Sequence, residues 1–255
     1  YSQDNLNGTA RFRAMGGAFG APGGDLSSLN VNPAGSSIFS NNQLTISLST
    51  FNKKNESNYF GTNTSESDSS FDMNQTGGVF VFKNQNSSSS WKKFSVAINY
   101  ENTNDFDNSI FSVGKNPTRS VANYFVSYAN GVPLSVLQDS YYGELDNGGQ
   151  QAFLGYQAYV INPVNEVPNN TNYTSNVTPG GNYYQENSVY SSGYNGKLSF
   201  NAATSYENKF YIGVNLNSHF TDYVRSTSFY ESNINPLGID HTVTNMRFDN
   251  NLHTY

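Results

Sequence analysis

At 255 residues, the chain has room for one large domain or two smaller ones, and its formal net charge of −6 argues against nucleic-acid binding, which needs a basic surface. Charged residues are 13%, against about 25% in typical domains, while aromatics reach 15%; that mix suits neither a large aliphatic core nor a disordered chain. The lack of cysteine excludes a disulfide framework and thiol chemistry, and no apolar run approaches the ~18 residues of a membrane-crossing helix. A membrane β-barrel stays open, because its strands need only about 9–11 alternating residues.

Residues 1–9 read as a polar, extended lead-in. Gly16, Gly17, Gly20, Gly23 and Gly24 then crowd a short stretch, where the missing Cβ permits tight turns and close packing. Asp25 is placed to cap one or two helical turns carrying Leu26 and Leu29, and Pro33 is expected to end them. Gln43 to Phe51 alternates Leu44, Ile46 and Leu48 with Thr45, Ser47 and Ser49, the period of a half-buried strand. Residues 52–76 read as a long exposed loop, in which Glu66, Asp68 and Asp72 form a solvated acidic group without calcium-loop spacing. Strands are predicted at Val79–Lys83 and Lys93–Tyr100, turned by 84–90.

Asn116-Pro117 then signals a helix start, with Val121, Phe125 and Tyr128 at helical spacing and Gly131 as the stop. A second helical piece is predicted over 132–142 and a third over 149–161, although Tyr156, Ala158 and Val160 also fit a strand. Residues 162–187 read as a loop. Strands follow at 198–206 and 210–217 around a Glu207-Asn208 turn, with weaker ones near 222–230 and 241–248, and Asp249-Asn250-Asn251 reads as a loop.

The segment ARFRAMGGAFGA followed by GGDLSSLNVNPAG resembles the N-terminal region of FadL-type outer-membrane transport proteins, and AFLGYQAYVIN is similar to a segment of Bacteroidetes-type members, some labelled hemin receptors. The likeness implies an all-β, antiparallel transmembrane β-barrel with short extracellular helices, in the outer membrane of a bacterium. Residues 1–41 would be an N-terminal hatch and 42–255 barrel strands with long loops and a helical insertion near 116–161. Gly16, Gly17, Phe19, Asp25, Asn32, Pro33, Ala34 and Gly35 would then be hatch or gating residues. At roughly 25 residues per strand and connection, a barrel of the family's size outruns 255 residues. The expectation is an N-terminal part of a longer protein, or else a smaller barrel of about eight to ten strands. The start at Tyr1, with neither Met nor apolar leader, reads as a processed chain whose signal peptide is gone.

Catalysis finds little support. His219, His241 and His253 lack zinc spacing and read as strand-end or loop residues rather than haem ligands, and no G-x-S-x-G elbow is present. The glycine pairs lack the Lys-Ser/Thr of a phosphate loop. A non-enzymatic chain without metal or cofactor is therefore expected. Its partners would be outer-membrane lipid and a hydrophobic ligand, a fatty acid or aromatic compound, taken up passively. Phe125, Tyr128, Leu134, Leu137 and Tyr141 could form a capture groove, and Phe12 and Met15 an adaptable apolar surface in the hatch; packing explains both groups as well. The alternative function is a barrel subunit or shuttle that docks to a large translocon protein of a bacterial secretion system. Long Asn/Ser/Tyr loops would suit that contact.

Overall fold

The computed structural model describes residues 5–238 and 241–255, so residues 1–4 of the predicted lead-in lie outside the described residues. Helix α1 (Ala10–Ala14) and two 3-10 turns, Leu26–Asn30 and Pro33–Ile38, precede strand β1 (Gln43–Tyr59). Strands β2 (Thr62–Lys83), β3 (Trp91–Asp105) and β4 (Asn108–Asn116) come next. Helices α2 (Ala122–Ala129), α3 (Leu134–Asp139) and α4 (Asn147–Gln157) lead to a small ribbon of β5 (Ile161–Pro163) and β6 (Tyr173–Ser175). The long strands β7 (Tyr183–Tyr206) and β8 (Phe210–Ser232) and the shorter β9 (Asn245–Thr254) complete the chain.

The main sheet is antiparallel, in the order β1-β2-β3-β7-β8-β9, with β4 also on β7. Asp105 faces Tyr194 and Asn108 faces Ser191, so β3 and β4 run beside β7 as one strand interrupted at Phe106-Asp107. Asp105 Oδ1 accepts the Asp107 amide at 2.7 Å, which fixes the interruption. Among the described residues the sheet does not close: β1 and β9 are its edges. The architecture is thus mostly antiparallel β, as expected, in an open sheet.

One face of this sheet is apolar and uncovered. Leu44, Ile46 and Leu48 on β1, Phe80 and Phe82 on β2, Val96 and Ile98 on β3, and Ile212, Val214 and Leu216 on β8 all point outward, with Leu44 80% and Leu216 71% exposed. Aromatic side chains gather at both ends of this band. Trp91 meets Tyr206 at 5.1 Å at one end, and Phe220 lies 6.2 Å from both Tyr100 and Tyr194 at the other. Phe220 reaches Tyr100 across β7 because Gly196 stands beneath it, where any Cβ would collide with the ring. The other face is polar and covered: Gln75, Ser95, Asn99, Glu101, Ser199 and Asn201 are buried. This is the reverse of a water-soluble sheet, which turns its apolar side inward.

Several expectations need correction. Residues 52–76 are strand rather than loop: β1 and β2 pair without a gap from Thr50↔Phe71 to Tyr59↔Thr62 and turn at Phe60-Gly61, with φ of 46° and 84°. Both faces of this hairpin are polar, so it carries no apolar alternation. Its inner face instead bonds β4, through Asn55 Nδ2 to the Ser109 carbonyl at 2.7 Å and Ser57 Oγ to Ser112 Oγ at 2.7 Å. The loop expected over 162–187 contains the β5–β6 ribbon and the start of β7. Asp249-Asn250-Asn251 lies within β9, opposite Ser228, Thr227 and Ser226. Ahead of Pro33 the Leu26–Asn30 turn ends and Asn32 is extended, as expected, but Pro33 also opens a second turn, with Asn32 Oδ1 accepting the Ala34 amide. Asn116 caps only a local turn, taking the amides of Thr118 and Arg119, and α2 begins at Ala122. Of the third predicted piece the helix holds to Gln157, after which 158–160 turn the chain into β5 at Ile161.

Candidate functional site

The N-terminal segment folds on itself through paired caps. Thr9 Oγ1 accepts the Phe12 amide to start α1 and donates to Asp25 Oδ2 at 2.7 Å; Asp25 Oδ1 accepts the Ser27 amide at 2.9 Å to start the next turn. Gly16 and Gly17 take φ of 60° and 77°, which turns the chain so that Phe19 is buried 5.7 Å from Phe12, with the Arg11 guanidinium 5.1 Å above its ring. Met15 remains exposed. Asn32 Nδ2 holds the Gly20 carbonyl at 2.8 Å, and Gly35 packs against the Gly23 backbone, its carbonyl accepting the Gly24 amide at 3.2 Å.

The sheet grips this segment by its backbone. Asn99 Nδ2 donates to the Leu26 carbonyl, Asn215 Nδ2 to Leu29, Asn201 Nδ2 to Pro33 and Lys93 Nζ to Phe39, at 2.5–3.4 Å. The Pro33-Ala34 peptide lies flat on Gly213 of β8, where a Cβ would strike it. Leu26, Leu29 and Phe39 share one small apolar cluster with Val79 and Ala97 of the wall. The expected hatch residues thus come together on the polar face, with Asn32, Pro33, Ala34 and Gly35 seated against β7 and β8.

On the opposite, apolar face is a notch of about 550 Å³, lined by Leu44, Ile46, Phe80, Ile98, Tyr100 and Leu198. Its floor is Gly77-Gly78 of β2, where the wall has no side chains. A bulge sits close by, where the β1–β2 register shifts between Ser47 and Leu48, and Ser49 Oγ bonds Asn74 Oδ1 at 2.9 Å. Behind this floor the next β2 residue, Val79, belongs to the cluster with Leu26 and Leu29.

The helical region does not form the open groove considered from sequence. Phe125, Leu134 and Leu137 are buried with Ala122, Ala152 and Ile161 in one apolar cluster, and Gly155 presses so closely on Phe125 that a Cβ there would stand 2.7 Å from it. Tyr128 and Tyr141 stay on the surface, Tyr141 being 77% exposed. Tyr124, 4.9 Å from Tyr128, has its hydroxyl pKa raised, by burial first and by that neighbour second. The cap is fastened to the sheet by buried Glu231 of β8, which accepts from the Ser120 hydroxyl, from the Val121 amide at 2.7 Å and from Gln185 Nε2 at 2.6 Å.

Sequence patterning missed the sheet residues that seat the N-terminal segment and the cap: Gln75, Asn99, Glu101, Asn201, Asn215, Gly213 and Glu231. The only signal available was a polar residue or glycine at an inward position of an alternating strand. Among the described residues there is no group of three or more His, Cys, Asp or Glu to hold a metal ion, and no helix long and apolar enough to cross a membrane. No family model, curated protein or solved structure matches the chain.

Proposed function

We propose that this sheet is part of the wall of a bacterial outer-membrane β-barrel of FadL type, that the N-terminal segment is its hatch, and that the barrel passively admits a hydrophobic small molecule such as a fatty acid or aromatic compound. The observation that carries this reading is the inverted polarity of the sheet. Between Phe210 and Phe220 the outward residues of β8 are apolar except for Ser218, over about ten positions, the span a strand needs to cross a bilayer, with aromatics at either end. Lipid would cover that face. Closing the barrel takes further strands between the β9 and β1 edges.

In this scheme the molecule partitions from the lipid into the notch over Gly77-Gly78. Displacement of the hatch then clears Leu26 and Leu29 from the far side of the wall. No covalent chemistry and no metal take part. The test is uptake of a fluorescent long-chain fatty acid by cells displaying the full-length protein, comparing the native chain with Gly78→Phe, which fills the notch. A drop of about tenfold is expected, in line with losing roughly 1.4 kcal/mol of apolar contact. Uptake no higher than in cells without the protein, with no hydrophobic ligand co-purifying, would sink the reading.

The exposed tyrosines of the helical cap, Tyr128, Tyr141, Tyr142 and Tyr159, favour a second reading, docking to a large translocon partner. Stoichiometric co-purification of such a partner, with no ligand, would select it.

A further inference from the structure

We infer that Glu101 of β3 is the latch that holds the N-terminal segment closed, with Asn30 as its catch and Lys197 as the charge that keeps it set. Glu101 is 3% exposed on the polar face. Its Oε2 accepts from Asn30 Nδ2 at 2.5 Å and pairs with Lys197 Nζ at 3.0 Å, while Oε1 accepts from Asn99 Nδ2 at 3.1 Å. Glu101 and Lys197 are direct cross-strand partners, so the wall itself fixes the pair. Gln75 Nε2 continues the chain from Asn99 Oδ1, at 2.6 Å, to Thr45 Oγ1, at 2.8 Å, linking four strands to a single side chain of the segment. A charge-assisted bond of this kind is about twice as strong as a neutral one. The other ties between wall side chains and the Leu26–Phe39 stretch are a hydroxyl pair, Ser36 with Ser95, and donations to backbone carbonyls.

The rest of the seat is poorly satisfied. Ser199 Oγ, Asn201 Oδ1 and Ser205 Oγ are buried on that face without a hydrogen-bond partner. Buried unpaired polar atoms are uncommon, and they lower the cost of lifting whatever covers them. A seat built this way releases as a unit once its strongest bond is broken. Lys197 prevents release by default, because its ion pair holds the Glu101 carboxylate in place toward Asn30.

The inference rests on the proposed reading in taking the segment to be a moving hatch, but its test does not depend on transport. The chain has no cysteine, so Ser27→Cys places one reporter thiol on a fully buried position one turn from Asn30. Full-length protein in detergent micelles is treated with a maleimide, and the labelling rate reports opening. Asn30→Asp sets carboxylate against carboxylate at the latch, and labelling is expected to rise about 10- to 100-fold. Adding Glu101→Gln moves the amide to the wall and the charge to the segment, where Lys197 still meets it, and labelling is expected to return to within about threefold of the parent. A merely structural loss at either site would add rather than cancel. Unchanged labelling in Asn30→Asp, or no recovery in the double variant, overturns the latch. Fatty-acid uptake by the same variants is read separately: fast labelling without any change in uptake leaves the latch standing and counts against the transport reading.

Discussion

The two regions outside the wall are built on opposite plans. The helical cap carries a core of Phe125, Leu134, Leu137, Ala152 and Ile161 from four different elements, against which Tyr183 of β7 and Phe248 of β9 also pack, and Glu231 adds hydrogen bonds from the wall. The N-terminal segment has only a small one, Phe12 against Phe19. Leu26, Leu29 and Phe39 complete an apolar cluster only with Val79 and Ala97, and wall side chains satisfy its carbonyls. A cap of the first kind keeps its shape when detached; a segment of the second kind is ordered by the surface it covers. Under the proposed reading, that difference would put the moving part at the N-terminus.

The largest effect expected from breaking the contrast is Phe125→Ala. It removes the ring packed on Gly155 and Phe248, should cost about 3–5 kcal/mol of cap stability, and should leave 5–38 untouched. Hydrogen exchange would then speed up across α2, α3 and α4 alone; equal loss of protection in the N-terminal segment would show that the two regions are one unit. Glu231→Ala acts on the fastening instead. It strips three donors of their acceptor, for about 3 kcal/mol, and should free the Ser120-Val121 edge of the cap without melting its core. Protection of Ser120 and Val121 should fall while that of α4 survives.

The complementary change is Gly213→Ala. Its Cβ would strike the Pro33-Ala34 peptide, so the segment must lift or the strand must shift, at about 1–3 kcal/mol. Limited proteolysis should cut between residues 20 and 38 several-fold faster than in the parent, with the cap unaffected. No change in the cutting rate would mean that the segment is not held at Pro33.

How much of this was legible follows from where the chain stops being amphipathic. Inside the apolar band the alternation of Phe94, Val96 and Ile98 with Ser95, Ala97 and Asn99 announces both strand and face, and β3 is read correctly. Above the band, hairpin residues such as Asn55, Ser57 and Ser65 meet polar surroundings on both sides, so strand and loop look alike in sequence. Asp25 and Gly131 were readable because capping and positive φ are local requirements. Glu101 and Gly213 were not, because their roles come from contacts with residues about 70 and 180 positions away.

The smallest expected effect sharpens the contrast through pH. Tyr173 is buried in the cap and donates its hydroxyl to the Val132 carbonyl at 3.0 Å; burial first, and Tyr156 second, raise its pKa above the ordinary value of 10.0. The neutral phenol is therefore the form the fold prefers. Its contribution is complete below pH 10 and is lost as pH climbs through the raised value, because ionisation removes the donor and leaves a charge in an apolar site. Tyr173→Phe lacks the hydroxyl at any pH, so it should be less stable than the parent by about 1 kcal/mol at pH 8. At pH 11 that gap should close or invert, whereas residues 5–38 hold no tyrosine and should give no such crossing between the two proteins. Proteolysis of the cap at both pH values measures it. A gap that stays constant from pH 8 to 11 would mean that the Tyr173 hydroxyl is open to water, and that the cap core is looser than its packing implies.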